Sequence, residues 1–118
     1  MQDAIQRLSA IEVPKYLIIQ LRRFKEGVSG GLEKNTVDVY PNKTVNLCVH
    51  SSNNYNITRV SYKLIGSIHH NGEFCGGHYY ANVSIENNWY QCNDANVLRI
   101  SHSAIDARSL YLGVYSKL

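Results

Sequence analysis

The clearest signal along the chain is an alternation of apolar and polar residues with a period of two, the signature of half-buried strands. From Val60 it runs Val60, Tyr62, Leu64, Gly66 and Ile68 on one face. Ser61, Lys63, Ser67 and His69 fall on the other, and Ile65 breaks the pattern. After "HNGEFCGG" a second strand places Tyr79, Ala81 and Val83 on one face and His78, Tyr80, Asn82 and Ser84 on the opposite one. The pair predicts an antiparallel hairpin with a long loop. "IENN" predicts a turn and "WYQCN" a third strand, with "DANVLRIS" carrying the chain on through Val97, Leu98 and Ile100. "SLYLGVYSKL" predicts a last strand with Leu110, Leu112 and Val114 on one face and Tyr111 and Tyr115 on the other.

The N-terminal part is less regular. "MQDAIQRLSAIE" spaces Ile5, Leu8 and Ile11 as a short amphipathic helix that Pro14 closes. "KYLIIQLRRF" is apolar on both faces through Tyr16, Leu17, Ile18, Ile19 and Leu21, which predicts a strand inside a sheet. "LRRF" itself reads as core strand plus solvated charge. "KEGVSGGLEKN" and "SSNNYN" predict loops, with "TVDVYPNKTVNLCV" between them as two extended pieces around Pro41. "SHSAIDAR" predicts a helical turn capped by Ser101 or Ser103. The sum is an α+β chain, mainly antiparallel β-sheet with one or two short helices.

At 118 residues the chain has the length of one domain, and its nine tyrosines against two prolines favour β structure. The net charge of +3 is scattered, with Arg22, Arg23 and Lys25 as the one dense cluster. No long basic run is present, which argues against nucleic acid as a partner. No stretch reaches the roughly 18 apolar residues that span a bilayer, and no signal-peptide pattern opens the chain. Cys48, Cys75 and Cys92 form an odd set without a CxxC pair, as expected for reduced thiols. A cytoplasmic or nuclear protein is the expectation.

Chemistry concentrates in "HHNGEFCGGHYYANV", which holds three of the five histidines. Cys75 and His78 are spaced C-x-x-H behind His69 and His70, a permissive zinc pattern that lacks a second ligand pair; no metal and no cofactor is expected. Cys75 activated by His78 meets a geometric objection: residues three apart on an extended backbone face opposite ways, while a base must come within about 3 Å of its thiol. A third arrangement makes His78 the base for a nucleophile located elsewhere, oriented by Asn93 or Asp94 on the next strand. With "IENN" as the turn, Asn93 falls opposite Tyr80, about two residues or roughly 7 Å from His78, so a bulge or bend is expected to close the gap. A strand histidine satisfied by a neighbouring carbonyl is the plain structural alternative.

Several segments in order then resemble a known family: "VPKYLIIQLRRF", "YKLIGSIHHNGEFCGGHYYANV", "NNWYQCNDANV" and "SLYLGVY". The match is to the C-terminal half of the catalytic domain of the ubiquitin-specific proteases, papain-like thiol hydrolases that remove ubiquitin. It rests on Pro14, Leu21 to Phe24, Tyr62 to Leu64, His70 to Gly72, Gly77-His78-Tyr79, Trp89, Asn93-Asp94, Val97 and Leu110 to Tyr115. The resemblance implies that residues 1–118 are the antiparallel palm of such a domain and that His78 is its catalytic base. It assigns the orienting role to the pair Asn93 and Asp94 without choosing between them. Gly76, Gly77 and Tyr79 match the neighbourhood where the ubiquitin tail, ending in Gly-Gly, approaches the active centre. Trp89 is expected to pack under the sheet.

The chain departs from the family where the nucleophile should be. The Gly-Asn-x-Cys-like box that carries the nucleophilic cysteine does not occur, and the three cysteines lie in other segments. The paired CxxC of the zinc-bearing fingers is missing as well. A base without a nucleophile does not cleave an isopeptide bond by this route, so the chain alone is expected to be inactive, and marginally stable or self-associating. Two readings stand: the His-box part of a cysteine-type deubiquitinase, completed by a segment or separate chain that brings the cysteine, or a non-catalytic ubiquitin-binding fragment or remnant.

Overall fold

The computed structural model describes residues 12–27, 30–50, 57–73 and 76–118. The predicted N-terminal helix and Cys75 lie outside the described residues. Nine strands follow one another: β1 (Tyr16–Gln20), β2 (Phe24–Glu26), β3 (Leu32–Lys34), β4 (Thr44–His50), β5 (Ile57–Asn71), β6 (His78–Ile85), β7 (Asn88–Asn93), β8 (Asn96–Ile100) and β9 (Leu110–Lys117). Seven of them form one sheet in the order β1-β9-β5-β6-β7-β8, with β4 paired to the first half of β5, and β2 and β3 make a separate hairpin. Every pairing is antiparallel.

The mainly antiparallel sheet is as the alternation predicted, whereas the helical part of the α+β expectation shrinks. Among the described residues the only helical element is a single 3-10 turn, His102–Ala104. Ser101 occupies its N-cap position without a side-chain cap bond, because its Oγ bonds instead to Ser103 Oγ at 2.9 Å.

β5 is the spine, pairing with β4 and β6 along one side and β9 along the other. Its ladder with β9 shifts register between Leu64 and Gly66, and again between Ile68 and His69. The first shift falls on Ile65, where the alternation broke, because an extra residue in one strand reverses the facing of all that follow. Ser67 and His69 therefore turn inward and are buried instead of lining the polar face.

The core lies against one face of the sheet, formed by Tyr62, Leu64, Trp89, Ile105 and Tyr115, with Val13, Leu17, Val45, Leu47, Val60 and Ile100 packed around them. The molecule is a slab of 50 × 47 × 19 Å with a radius of gyration of 17.3 Å, against about 13 Å for a compact domain of this length. A single layer leaves apolar surface uncovered. β1 shows this most plainly and corrects the expectation of an interior strand: it pairs with β9 alone and exposes Tyr16, Ile18 and Ile19.

Arg23 corrects the reading of "LRRF" as solvated charge. Its guanidinium is buried and donates from Nε to Leu110 O at 2.9 Å, from Nη2 to Ala107 O at 2.9 Å, and from Nη1 to Asn35 O at 3.2 Å and to Val37 O. Burial draws its pKa down, and Asp38 and Asp106 act against that. One planar fork thus ties the segments after β1 and β3 to the start of β9.

Candidate active site

β6 begins at His78, and β7 ends at Asn93. Glu86 and Asn87, both with positive φ of 51° and 65°, join the two strands. Two successive left-handed residues make the tight hairpin turn whose twist suits antiparallel strands. The resulting register sets Ala81 opposite Cys92, and continuing it sets Asn93 opposite Tyr80. His78 Nε2 lies 2.6 Å from Asn93 Oδ1. The β6–β7 ladder is regular from Ala81 and Cys92 to the turn, and beyond it the side chains of His78 and Asn93 meet across neighbouring strands.

The carbonyl oxygen Oδ1 is an acceptor, so Nε2 is the nitrogen that donates, which leaves the lone pair on Nδ1. Asp94 Oδ2 stands at 4.0 Å from Nε2, on a residue with φ of 52° at the turn between β7 and β8. Half of the His78 side chain and most of that of Asp94 are open to solvent. Asn93 holds the ring, and Asp94 offers a second acceptor and a negative charge nearby. Such an imidazole can take a proton at Nδ1 and keep its orientation while doing so.

The wall beside His78 is aromatic. His70 packs 5.5 Å from Phe24 and 4.6 Å from Tyr79, and Tyr79 sits 5.9 Å from Tyr111, between ring centroids. A Cβ placed on Gly77 would overlap Nε2 and Cε1 of His70 and come 2.8 Å from Asn71 O. The missing side chain of Gly77 therefore makes room for His70. Gly76 differs: its φ of 105° favours glycine, and a Cβ there would meet nothing within 4 Å. Tyr79 is 53% exposed next to it. Lys34 Nζ fixes the start of the same loop by donating to His70 O at 2.7 Å and Gly72 O at 3.0 Å.

Behind this wall is a buried polar cluster that sequence reasoning missed. His69 is fully buried, with Nε2 2.8 Å from Ser67 Oγ and 3.0 Å from Asn82 Nδ2, and Nδ1 2.9 Å from Ser109 Oγ. Tyr80 stacks on it at 4.8 Å between ring centroids and reaches the same Ser109 Oγ at 3.0 Å. Burial pushes the His69 pKa down to about 4, with Asp106 as a smaller opposing influence, so the ring is neutral at ordinary pH. The cluster joins β5, β6 and the approach to β9 directly behind the strand that begins at His78. The available signal was the cross-strand pairing of Ser67 with Asn82 and of His69 with Tyr80, which depends on the register.

Neither of the two described cysteines stands with His78. Cys48 is exposed on β4 and Cys92 half-buried on β7. Cys92 precedes Asn93 on an extended strand and so points to the other face. Among the described residues no group of three His, Cys, Asp or Glu side chains is placed to hold a metal ion, and both ring nitrogens of His69 are engaged internally. Among the described residues, too, no helix is long and apolar enough to cross a membrane.

Comparison with known proteins places this architecture. The profile of the ubiquitin carboxyl-terminal hydrolase family matches residues 6–115. Ubiquitin carboxyl-terminal hydrolase 8 of Saccharomyces cerevisiae is 31% identical over 98% of this chain and 26% of its own length. Ubiquitin carboxyl-terminal hydrolase 2 of Gallus gallus is 30% identical over 93% of this chain and 31% of its own. Among solved structures, one of the SAGA Ubp8/Sgf11/Sus1/Sgf73 DUB module superposes with a TM-score of 0.80 at 28% identity, covering 98% of this chain and 26% of that one. A structure of the same module bound to ubiquitin aldehyde also superposes with a TM-score of 0.80, at 26% identity over 90% of this chain and 25% of the other. The chain spans between 12% and 31% of the length of the curated relatives it matches. With nearly every described strand inside the matched span, the chain belongs to the ubiquitin carboxyl-terminal hydrolase family.

Proposed function

We propose that this chain is the histidine-bearing palm of a cysteine-type deubiquitinase, with residues 1–118 forming the C-terminal part of the catalytic domain and the nucleophile-bearing half supplied by a longer product or a separate chain. The observation that carries the reading is the 2.6 Å contact between His78 Nε2 and Asn93 Oδ1, which leaves Nδ1 without a partner among the described residues on a ring half open to solvent. In this scheme a cysteine thiol transfers its proton to Nδ1, and the thiolate attacks the carbonyl carbon of the C-terminal glycine of ubiquitin. The imidazolium then returns the proton to the leaving amine, and water hydrolyses the thioester that remains. Asn93 is the orienting residue and Asp94 the accessory one, as their distances of 2.6 Å and 4.0 Å favour. The ubiquitin tail passes Gly76, Gly77 and Tyr79, with the open space at Gly76 as its point of closest backbone approach. The exposed apolar strand β1 is what a missing packing layer would cover. Reduced thiols and the nuclear or cytoplasmic setting of ubiquitin chemistry go with this reading.

The test is complementation with the nucleophile half, reading release of a fluorophore from the C-terminus of ubiquitin. Hydrolysis is expected to appear on complementation and to fall by about 10²-fold or more in His78→Ala, with ubiquitin binding retained. Rapid thiol-dependent cleavage by the 118-residue chain alone refutes the missing-nucleophile part, and full activity of His78→Ala in the complemented enzyme refutes the base assignment. The absence of a family-type nucleophile box favours one second reading, a non-catalytic ubiquitin-binding fragment. It predicts saturable ubiquitin binding by the chain with no hydrolysis gained on complementation.

A further inference from the structure

The far end of the sheet from His78 carries a groove of about 700 Å³ that none of the chemistry above uses. Ser84, on its wall, is six residues along β6 from His78, about 20 Å at strand rise. Its floor is the open mouth of the core, with Leu64, Trp89 and Ile100, and Lys43, Lys63 and Arg99 line it as well. These cations come from the residue before β4, the middle of β5 and the end of β8, so no basic run in the sequence announces them. No Asp or Glu side chain lines the groove among the described residues, and Leu118 is part of its wall. Lys63 and Arg99 instead bond to neutral amide oxygens: Nζ to Asn87 Oδ1, and Nη2 to Asn88 Oδ1 at 3.0 Å.

His102 stands edge-on to Trp89, 5.7 Å between centroids, and lines the groove beside it. Three cations with no acidic side chain in the groove's described lining, set around an apolar, Trp-floored slot, complement a segment with carboxylates on either side of one apolar side chain.

We propose that this groove is a docking site for an acidic segment of a partner protein, its apolar anchor seated against Leu64, Trp89 and Ile100 and its carboxylates on Lys43, Lys63 and Arg99. The site is independent of His78 and stands or falls separately from the catalytic reading.

Trp89 is the chain's single tryptophan, so its emission reports the floor of the groove directly. The full chain is titrated with a short peptide of Glu and Asp flanking one Leu, at low and at physiological salt, with titration calorimetry in parallel. A saturable change in Trp emission is expected, weakening as salt rises. The matched Gln/Asn peptide, and an all-acidic peptide without the Leu, are expected to bind at least about tenfold more weakly. Lys63→Glu with Arg99→Glu is expected to lose binding by a similar factor while circular dichroism and the urea midpoint stay unchanged; if that pair unfolds, Lys63→Gln with Arg99→Gln takes its place. Equal binding by the charge-reversed protein, no saturable response, equal binding of the peptide lacking Leu, or tighter binding of a single-stranded oligonucleotide through the same residues overturns the proposal.

Discussion

Gly77→Ala separates packing from substrate access at the centre of the site. The added methyl group falls on Nε2 and Cε1 of His70, with Asn71 O at 2.8 Å on another side. His70 cannot step aside freely, because it is 3% exposed and held between Phe24 and Tyr79. Overpacking costs about 1–3 kcal/mol, and displacing His70 weakens two aromatic contacts of about 0.5–1.5 kcal/mol each. A total near 3 kcal/mol follows. Gly76→Ala is the control: its Cβ enters open space, so only the cost of a positive φ remains, about 1–2 kcal/mol. With a urea m-value of about 1.5 kcal/mol/M for a chain of this size, the midpoints should fall by about 2 M and by about 1 M or less, respectively. Nitrogen-15 spectra of the imidazoles supply the second readout, since the shifted backbone at residue 77 is expected to disturb the Nε2–H tautomer of His78 in Gly77→Ala alone. A Gly77→Ala protein no less stable than Gly76→Ala, or one with unmoved His78 resonances, refutes the assignment of Gly77 to packing.

Three further outcomes are expected. Arg23→Met takes the guanidinium from the Leu110 carbonyl, at about 1–3 kcal/mol, while Ala107 O keeps its bond from Val39 N, and urea unfolding should show a loss of about 2 kcal/mol. His69 has its folded pKa lowered from 6.5 to about 4; its contribution is therefore complete above the unfolded value and is lost as pH falls toward the folded one. Stability should drop by about 2 kcal/mol between about pH 7.5 and about pH 5, and His69→Gln should flatten that slope in urea titrations at the two pH values. In the complemented enzyme, Asn93→Ala should lower kcat by about 10-fold or more while Asp94→Ala costs less, as measured on a ubiquitin fluorophore conjugate; the reverse order would move the orienting role to Asp94.

Some of this architecture was legible because it is local. Alternation with period two identified β5, β6, β7 and β9, since side-chain facing in a strand follows from sequence spacing alone. Motif order along the chain drew His78, Asn93 and Asp94 into one candidate site before any distance was known, and the "IENN" turn set the register that pairs Ala81 with Cys92. Other features depend on where distant segments meet. Arg23 reads as surface charge until the carbonyls of Asn35, Val37, Ala107 and Leu110 close around it. His69 looked solvent-facing because a one-residue register shift in β5 carries no composition signal, yet it reverses every side chain beyond it. Strand β1 read as interior because hydrophobicity reports that a strand is to be covered, while pairing and layering decide by what. The division at His78 has the same cause: the sequence set His78 and Asn93 on successive strands, and only the tertiary structure brought Asn93 Oδ1 to 2.6 Å of the ring and left Asp94 Oδ2 at 4.0 Å, because those distances rest on side-chain reach across a finished ladder.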